Sequence, residues 1–309
     1  MSSDAQVNGG GRSNSGLPPH IQKMLADVPG RGTGLNLWLF RTALQMHQLC
    51  QPDEIVRLLR EAAKGQPIKN GEIERAVERS APGFLSLERV PGGSSMGAWP
   101  QINQELRSTF INAGADLEDL VKALPGGCAV EVPDVELILD QLFPDNPLLC
   151  CGWSLSECVT ARREEWRGQM AEMQFIVPST MSAETGLTQE GKESVRCLAN
   201  TGPRRYLVIE QDTGTSDEQA AILAHLATLG PLVMVVDSGG KSIHGWFACQ
   251  GRTEEQLRAF MKYAVSLGAD PATWTRCQFL RMPGGQREGD GGGLQRVLFF
   301  NPSVLEGGK

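Results

Sequence analysis

The sequence predicts an α+β protein, a small helical bundle ahead of a larger domain of mainly antiparallel sheet with flanking helices. Three observations predict it. Apolar residues over the first half of the chain recur at helical spacing, and the first convincing strand is "MQFIVPSTM", Met173 to Met181. Beyond it come short apolar runs of strand length: "RRYLVIEQD", "PLVMVVDSGG", "SIHGWFACQG", "CQFLRMPGG" and "QRVLFFNP". Glycine and serine turns join several of them, so hairpins dominate over the strict alternation of a doubly wound parallel sheet.

Taken in order, residues 1–16, "MSSDAQVNGGGRSNSG", read as a disordered tail. Residues 17–90 read as a helical bundle. Leu37, Phe40, Leu44 and His47 share one face, with Asn36 as a candidate N-cap. Pro52 and Asp53 open a second helix that Gly65 closes. A third lies between Asn70 and Pro82-Gly83. "VPGGSSMGAWP" supplies a linker over 91–99. Residues 100–309 form the second domain, which opens with helical stretches in "INQELRSTFINAG", "DLEDLVKAL" and "PDVELILDQLFP". Later, Ala221, Leu223, Leu226 and Leu229 give one helix an apolar face, and Thr253 before Glu254 and Glu255 caps another. The last two strands flank a glycine-rich loop from Gly284 to Gly293.

Composition narrows the function. At 309 residues, with 40% hydrophobic and 21% charged residues, the chain can bury a sizeable core. No apolar run approaches the ~20 residues of a membrane span, and no basic, then apolar leader opens the chain. A cytoplasmic protein with no membrane partner is expected. The net charge of −7 argues against a broad basic surface that coats nucleic acid. It allows a carboxylate-lined site that touches nucleic acid locally. Eight cysteines without a Cys-x-x-Cys pair, beside four histidines, argue for reduced thiols over structural zinc.

The stretch Val235–Phe247, "VVDSGGKSIHGWF", contains Gly-Lys-Ser but is not a phosphate-binding P-loop. The glycine such a loop requires five residues before Gly240 is Val235, and no helix start follows Ser242. A β-hairpin fits instead, with Ser238-Gly239-Gly240 as its turn. Period two then places Ser242 and His244 on one face, with Lys241 at the strand's start. This makes a cationic, hydrogen-bonding shelf suited to a triphosphate. In "YLVIEQD", the same period puts Glu210 and Asp212 together at the end of an apolar strand. Paired carboxylates there repel unless a cation sits between them, and hard divalent metals take oxygen ligands.

These residues resemble the archaeo-eukaryotic primase superfamily, in particular the primase-polymerases of plasmids, phages and mobile elements. The likeness lies in Glu210-Gln211-Asp212, then Ser242-Ile243-His244, then Ala269-Asp270, followed by Arg281 to Gly285, "RMPGG". It covers a motif core of 170–302 and, more loosely, residues 30–82. The resemblance implies an RRM-like catalytic core preceded by a small helical primase-associated domain. It implies template-dependent nucleotidyl transfer that makes primers for replication. Glu210, Asp212 and Asp270 would bind two Mg²⁺ or Mn²⁺ ions, with Asp237 as an alternative third carboxylate. His244 and Ser242 would hold the NTP or dNTP, and Lys241 and Arg281 would offset pyrophosphate charge. Arg204 and Arg205 are candidates for template or nucleotide contact, or for a solvated face. Trp246 and Phe247 are candidates for base stacking, with core placement favoured. Glu210 stands where aspartate is usual, and Asp270 precedes Pro271, as a helix cap does. Single-stranded DNA and, since no complete Walker A occurs, a separate replicative helicase are the expected partners. Two other readings use the same residues: a non-catalytic replication accessory or DNA-binding protein, and a metal-dependent nuclease or phosphotransferase.

Overall fold

The structure is a computed structural model; it describes residues 17, 19–30, 35–47, 49–80, 98–113, 116, 117, 120, 134–288 and 292–306. It divides into two compact units, Met1–Ser86 and Leu87–Lys309. The expected tail, most of the expected linker and most of "DLEDLVKAL" lie outside the described residues. Among the described residues no helix is long and apolar enough to cross a membrane.

The first unit holds α1 (Pro19–Ala26), α2 (Leu35–Met46), α3 (Pro52–Ala62) and α4 (Glu72–Ser80). Its core gathers Ile21, Leu25, Trp38, Leu39, Met46, Ile55, Leu59 and Val77. Pro52 sits in the first turn of α3, with Asp53 and Glu54 against the positive end of the helix. Two expectations change. Asn36 lies inside α2, which starts at Leu35, so it is not the cap. An additional short helix, α1, forms at "PHIQKMLA". Trp38 Nε1 donates to the Met24 carbonyl at 2.8 Å and fastens α1 to α2.

The second unit begins with α5 (Gln104–Ala113) and α6 (Val135–Leu142), the latter capped by Asp134. Strands β1 (Leu148–Gly152) and β2 (Cys158–Arg162) form a hairpin that the sequence reading did not anticipate. β3 (Phe175–Ile176) and a small hairpin, β4 (Gly186–Leu187) with β5 (Glu193–Ser194), follow. Then come β6 (Tyr206–Glu210), α7 (Ser216–Ala227), β7 (Leu232–Asp237), β8 (Ile243–Ala248) and α8 (Glu254–Ser266). β9 (Leu280–Arg281), β10 (Val297–Phe300) and α9 (Ser303–Glu306) end the described chain.

One antiparallel sheet runs β10-β7-β8-β6, and a second runs β2-β1-β3-β9. In the first sheet, β6 and β7 are parallel to each other with β8 between them, and β8 and β10 are parallel with β7 between them. Alternation gives this sheet two apolar faces. Leu207, Ile209, Val235, Phe247 and Phe299 lie under α7 and α8, against Leu223, Leu226, Phe260 and Met261. Tyr206, Val208, Val236, Trp246 and Val297 face the second sheet and α6, against Leu149, Cys151, Ile176, Leu280 and Leu139. The unit is thus layered as helices, sheet, sheet. Each large side chain buried here is worth about 1.5–3 kcal/mol of apolar transfer. The strands at either end of the glycine-rich loop do not pair: β9 joins β3 and β10 joins β7. Through β9, Arg281 belongs to the second sheet, where its charge acts on Glu210.

Candidate active site

β6 and β8 pair in register with Glu210 opposite His244. Both therefore point to the same face, toward the second sheet. His244 Nε2 lies 3.2 Å from Glu210 Oε1. Ser242 Oγ donates to the same carboxylate oxygen at 3.3 Å and stands 3.4 Å from His244 Nε2 and 3.2 Å from Ser238 Oγ. Burial pushes the Glu210 carboxyl up, but hydrogen bonds from His244 and Ser242, with the charges of His244 and Arg281, outweigh it and hold the group below its usual value.

His244 is 1% exposed and does not line the cavity in front of these groups. It backs Glu210 from inside the sheet, whereas the sequence reading had it gripping a triphosphate. Its Nδ1 finds no partner among the described residues.

β6 ends at Glu210, so Asp212 sits in the loop beyond it and not on the strand. It is exposed and lines the cavity. Partial burial, then the charges of Glu210 and Asp270, raise its carboxyl above the ordinary range. Arg107, on α5, braces this loop: Nη1 donates to Gln211 Oε1 at 3.0 Å and to the Leu267 carbonyl at 2.7 Å, and Nη2 to the Thr213 carbonyl at 3.3 Å.

Asp270 is close by, since its N–H donates to the Glu210 carbonyl at 2.9 Å. Its carboxylate, however, accepts from Ala272 N and caps the short turn Pro271–Trp274. The alternative acid, Asp237, accepts from Gly239 N at 2.9 Å and pairs with Arg296 at 3.1 Å, which makes it a turn residue.

Cations line the same cavity. The cavity, of about 550 Å³, is lined by Glu210, Asp212, Ser238, Gly240, Lys241, Ser242, Arg281 and Arg287. The Arg281 guanidinium lies 4.7 Å above the Phe175 ring. Burial and then the neighbouring Arg287 charge lower its pKa, against the pull of Glu210. Arg287 was not singled out in the sequence. It packs over Gly240, where a Cβ would collide with the guanidinium, so the glycine makes its seat.

The remaining candidates fall elsewhere. Arg204 stacks on Trp274 at 4.1 Å and pairs with Glu254 at 3.4 Å. Arg205 donates to the Leu142 carbonyl at 2.6 Å. Trp246 and Phe247 are core residues, 0% and 2% exposed.

Among the described residues, no group of three or more histidine, cysteine, aspartate or glutamate side chains stands in metal-holding geometry. The donor chemistry nevertheless suits a hard divalent cation: Glu210 and Asp212 share one cavity, and the repulsion that adds to burial in raising Asp212 is what such a cation relieves. No family model, no curated protein and no solved structure matches this chain.

Proposed function

We propose that the second unit is a metal-dependent nucleotidyltransferase of the primase-polymerase type, which initiates or extends a strand on single-stranded DNA from nucleoside triphosphates. One observation carries the reading. A single cavity is lined both by carboxylates, Glu210 and Asp212, and by cations, Lys241, Arg281 and Arg287. That division suits a substrate that is itself divided between a metal-binding reacting phosphate and a polyphosphate tail. The volume, about 550 Å³, suits a ligand of nucleotide size.

Glu210 and Asp212 would hold Mg²⁺ or Mn²⁺, with Asp270 as the third carboxylate. When bound, the ions supply charge neutralisation and a more acidic attacking hydroxyl. Lys241 and the two arginines receive the phosphates, Arg as a planar fork and Lys as a point charge. Ser242 offers a hydroxyl at the cavity mouth. His244 keeps Glu210 ionised and aimed. A separate helicase would open the template.

The test is Mg²⁺- or Mn²⁺-dependent incorporation of labelled NTP or dNTP on single-stranded DNA. Incorporation should vanish in Asp212→Ala and in His244→Ala. A non-catalytic accessory role is the second reading, favoured by the Asp270 carboxylate being committed to a backbone cap. It predicts DNA binding without incorporation, unaffected by Asp212→Ala. Cleavage of the oligonucleotide would instead indicate a nuclease.

A further inference from the structure

Helix α7 sends one side chain back between the two halves of the site. Gln219 is 0% exposed. Its Oε1 accepts from Ile243 N at 2.9 Å. Its Nε2 faces the carbonyls of Lys241 at 3.2 Å, Gly214 at 3.3 Å and Thr213 at 3.4 Å. Two of those carbonyls belong to the loop that carries Asp212. The third, with the Ile243 amide, flanks Ser242 on both sides.

Only a primary amide serves here. It presents an acceptor and two donors at one end of the side chain. Glutamate lacks the donors when ionised, and methionine lacks both. α7 holds the amide in place because its first turn is fixed by a reciprocal cap between Thr215 and Glu218. Below it, Leu223 fills the space left by Gly245, so the helix lies close on the sheet. Arg107 fastens the acid loop to Leu267, at the end of α8, whereas Gln219 fastens it to the cationic turn.

We propose that Gln219 is a positioning residue that locks the Asp212 loop to the Lys241–Ser242 turn, so that the Asp212 and Lys241 sides of the cavity move as one body. Its catalytic consequence rests on the nucleotidyl-transfer reading; its geometry does not.

The test uses the full chain with Gln219→Met and Gln219→Glu, read by backbone hydrogen exchange and by incorporation kinetics with Mn²⁺. In Gln219→Met, exchange should rise together over residues 211–215 and 240–244. In Gln219→Glu, which keeps an acceptor for Ile243, it should rise mainly over 211–215. For both, kcat should fall about 100-fold, the scale of a misplaced reacting group, while the KM for nucleotide changes little and unfolding stays cooperative. The lock is overturned if a folded Gln219→Met loosens one segment alone or neither. The positioning role is overturned if both segments loosen while kcat is unchanged. If the wild type incorporates nothing, the proposed function fails, and the paired exchange response alone then supports or overturns the lock. Should Gln219→Met not fold, Gln219→Glu decides: a rise over 211–215 with a lower kcat supports the lock, whereas no rise there, or a rise with kcat unchanged, overturns it.

Discussion

At the scale of the residue, the electrostatics of the site converge on Asp212. Partial burial and the charges of Glu210 and Asp270 raise its carboxyl pKa. An acid with a raised folded pKa binds more protons folded than unfolded, so its contribution to stability falls as pH rises through that window. Asp212→Asn should therefore melt at a higher temperature than wild type at neutral pH without divalent ions, and should lose any Mn²⁺-induced rise. A thermal scan of both proteins with and without Mn²⁺ checks this; an Asn variant no more stable than wild type sinks the account. His225 shifts in the opposite sense to opposite ionic effect. Buried at 8% exposure, stacked on Phe110 and hydrogen-bonded to Tyr263 at 2.8 Å, it has a pKa lowered to about 3 by desolvation. A base depressed in this way binds fewer protons folded, so stability is lost as pH falls from its unfolded value near 6.5 toward 3. The slope is about 1.4 kcal/mol per pH unit. His225→Gln retains a partner for Tyr263 and should flatten the slope of the urea midpoint against pH by about one proton.

At the scale of the element, the close approach of α7 to β8 depends on one missing side chain. A Cβ at Gly245 would lie 2.5 Å from Leu223 Cδ2. Gly245→Val should destabilise the protein by about 1–3 kcal/mol, the usual range for overpacking, and the urea midpoint measures it. Because Gln219 rides on the same helix, the variant should also raise exchange at Ile243. The strands β6, β7 and β8 were legible because "YLVIE", "LVMVVD" and "IHGWFA" are dense apolar runs that end in turn residues. Period two set the faces that Glu210 and His244 take on their own strands, but their pairing across β6 and β8 did not follow from it. Nor did depth: alternation puts Ser242 and His244 on one face, but only the tertiary structure places the first at the mouth and the second a step inside. Asp212 was assigned to the strand because the period continued in the sequence after the strand had ended. "LLCCG" and "CVTAR" carry cysteine, glycine and alanine where strands favour branched and aromatic residues, so the β1–β2 hairpin was not legible. Arg287 was hidden in a glycine-rich loop, and only the tertiary structure brings it to the cavity that Glu210 and Asp212 line.

At the scale of the whole molecule, each unit carries its own buried core, and every side chain assigned to the candidate site lies in the second. The first unit is small; its described residues form four helices whose core rests on residues such as Ile21, Leu39, Ile55 and Leu59. A domain of that size buries a smaller fraction of its chain and is correspondingly marginal. The second has two packed sheets with helices against them, and a larger apolar area to set against its conformational entropy. Calorimetry of the full chain should therefore show two transitions, the lower one belonging to the bundle. A chain reduced to residues 98–309 should keep the upper transition within a few degrees and, on the proposed function, bind nucleotide with Mn²⁺ as the full chain does. Since Lys241, Arg281 and Arg287 remain, its nucleotide affinity should stay within about threefold, less than the 1.4 kcal/mol of a tenfold change. A single transition that disappears on truncation, or binding lost while residues 98–309 remain folded, would place part of the site's support in the bundle.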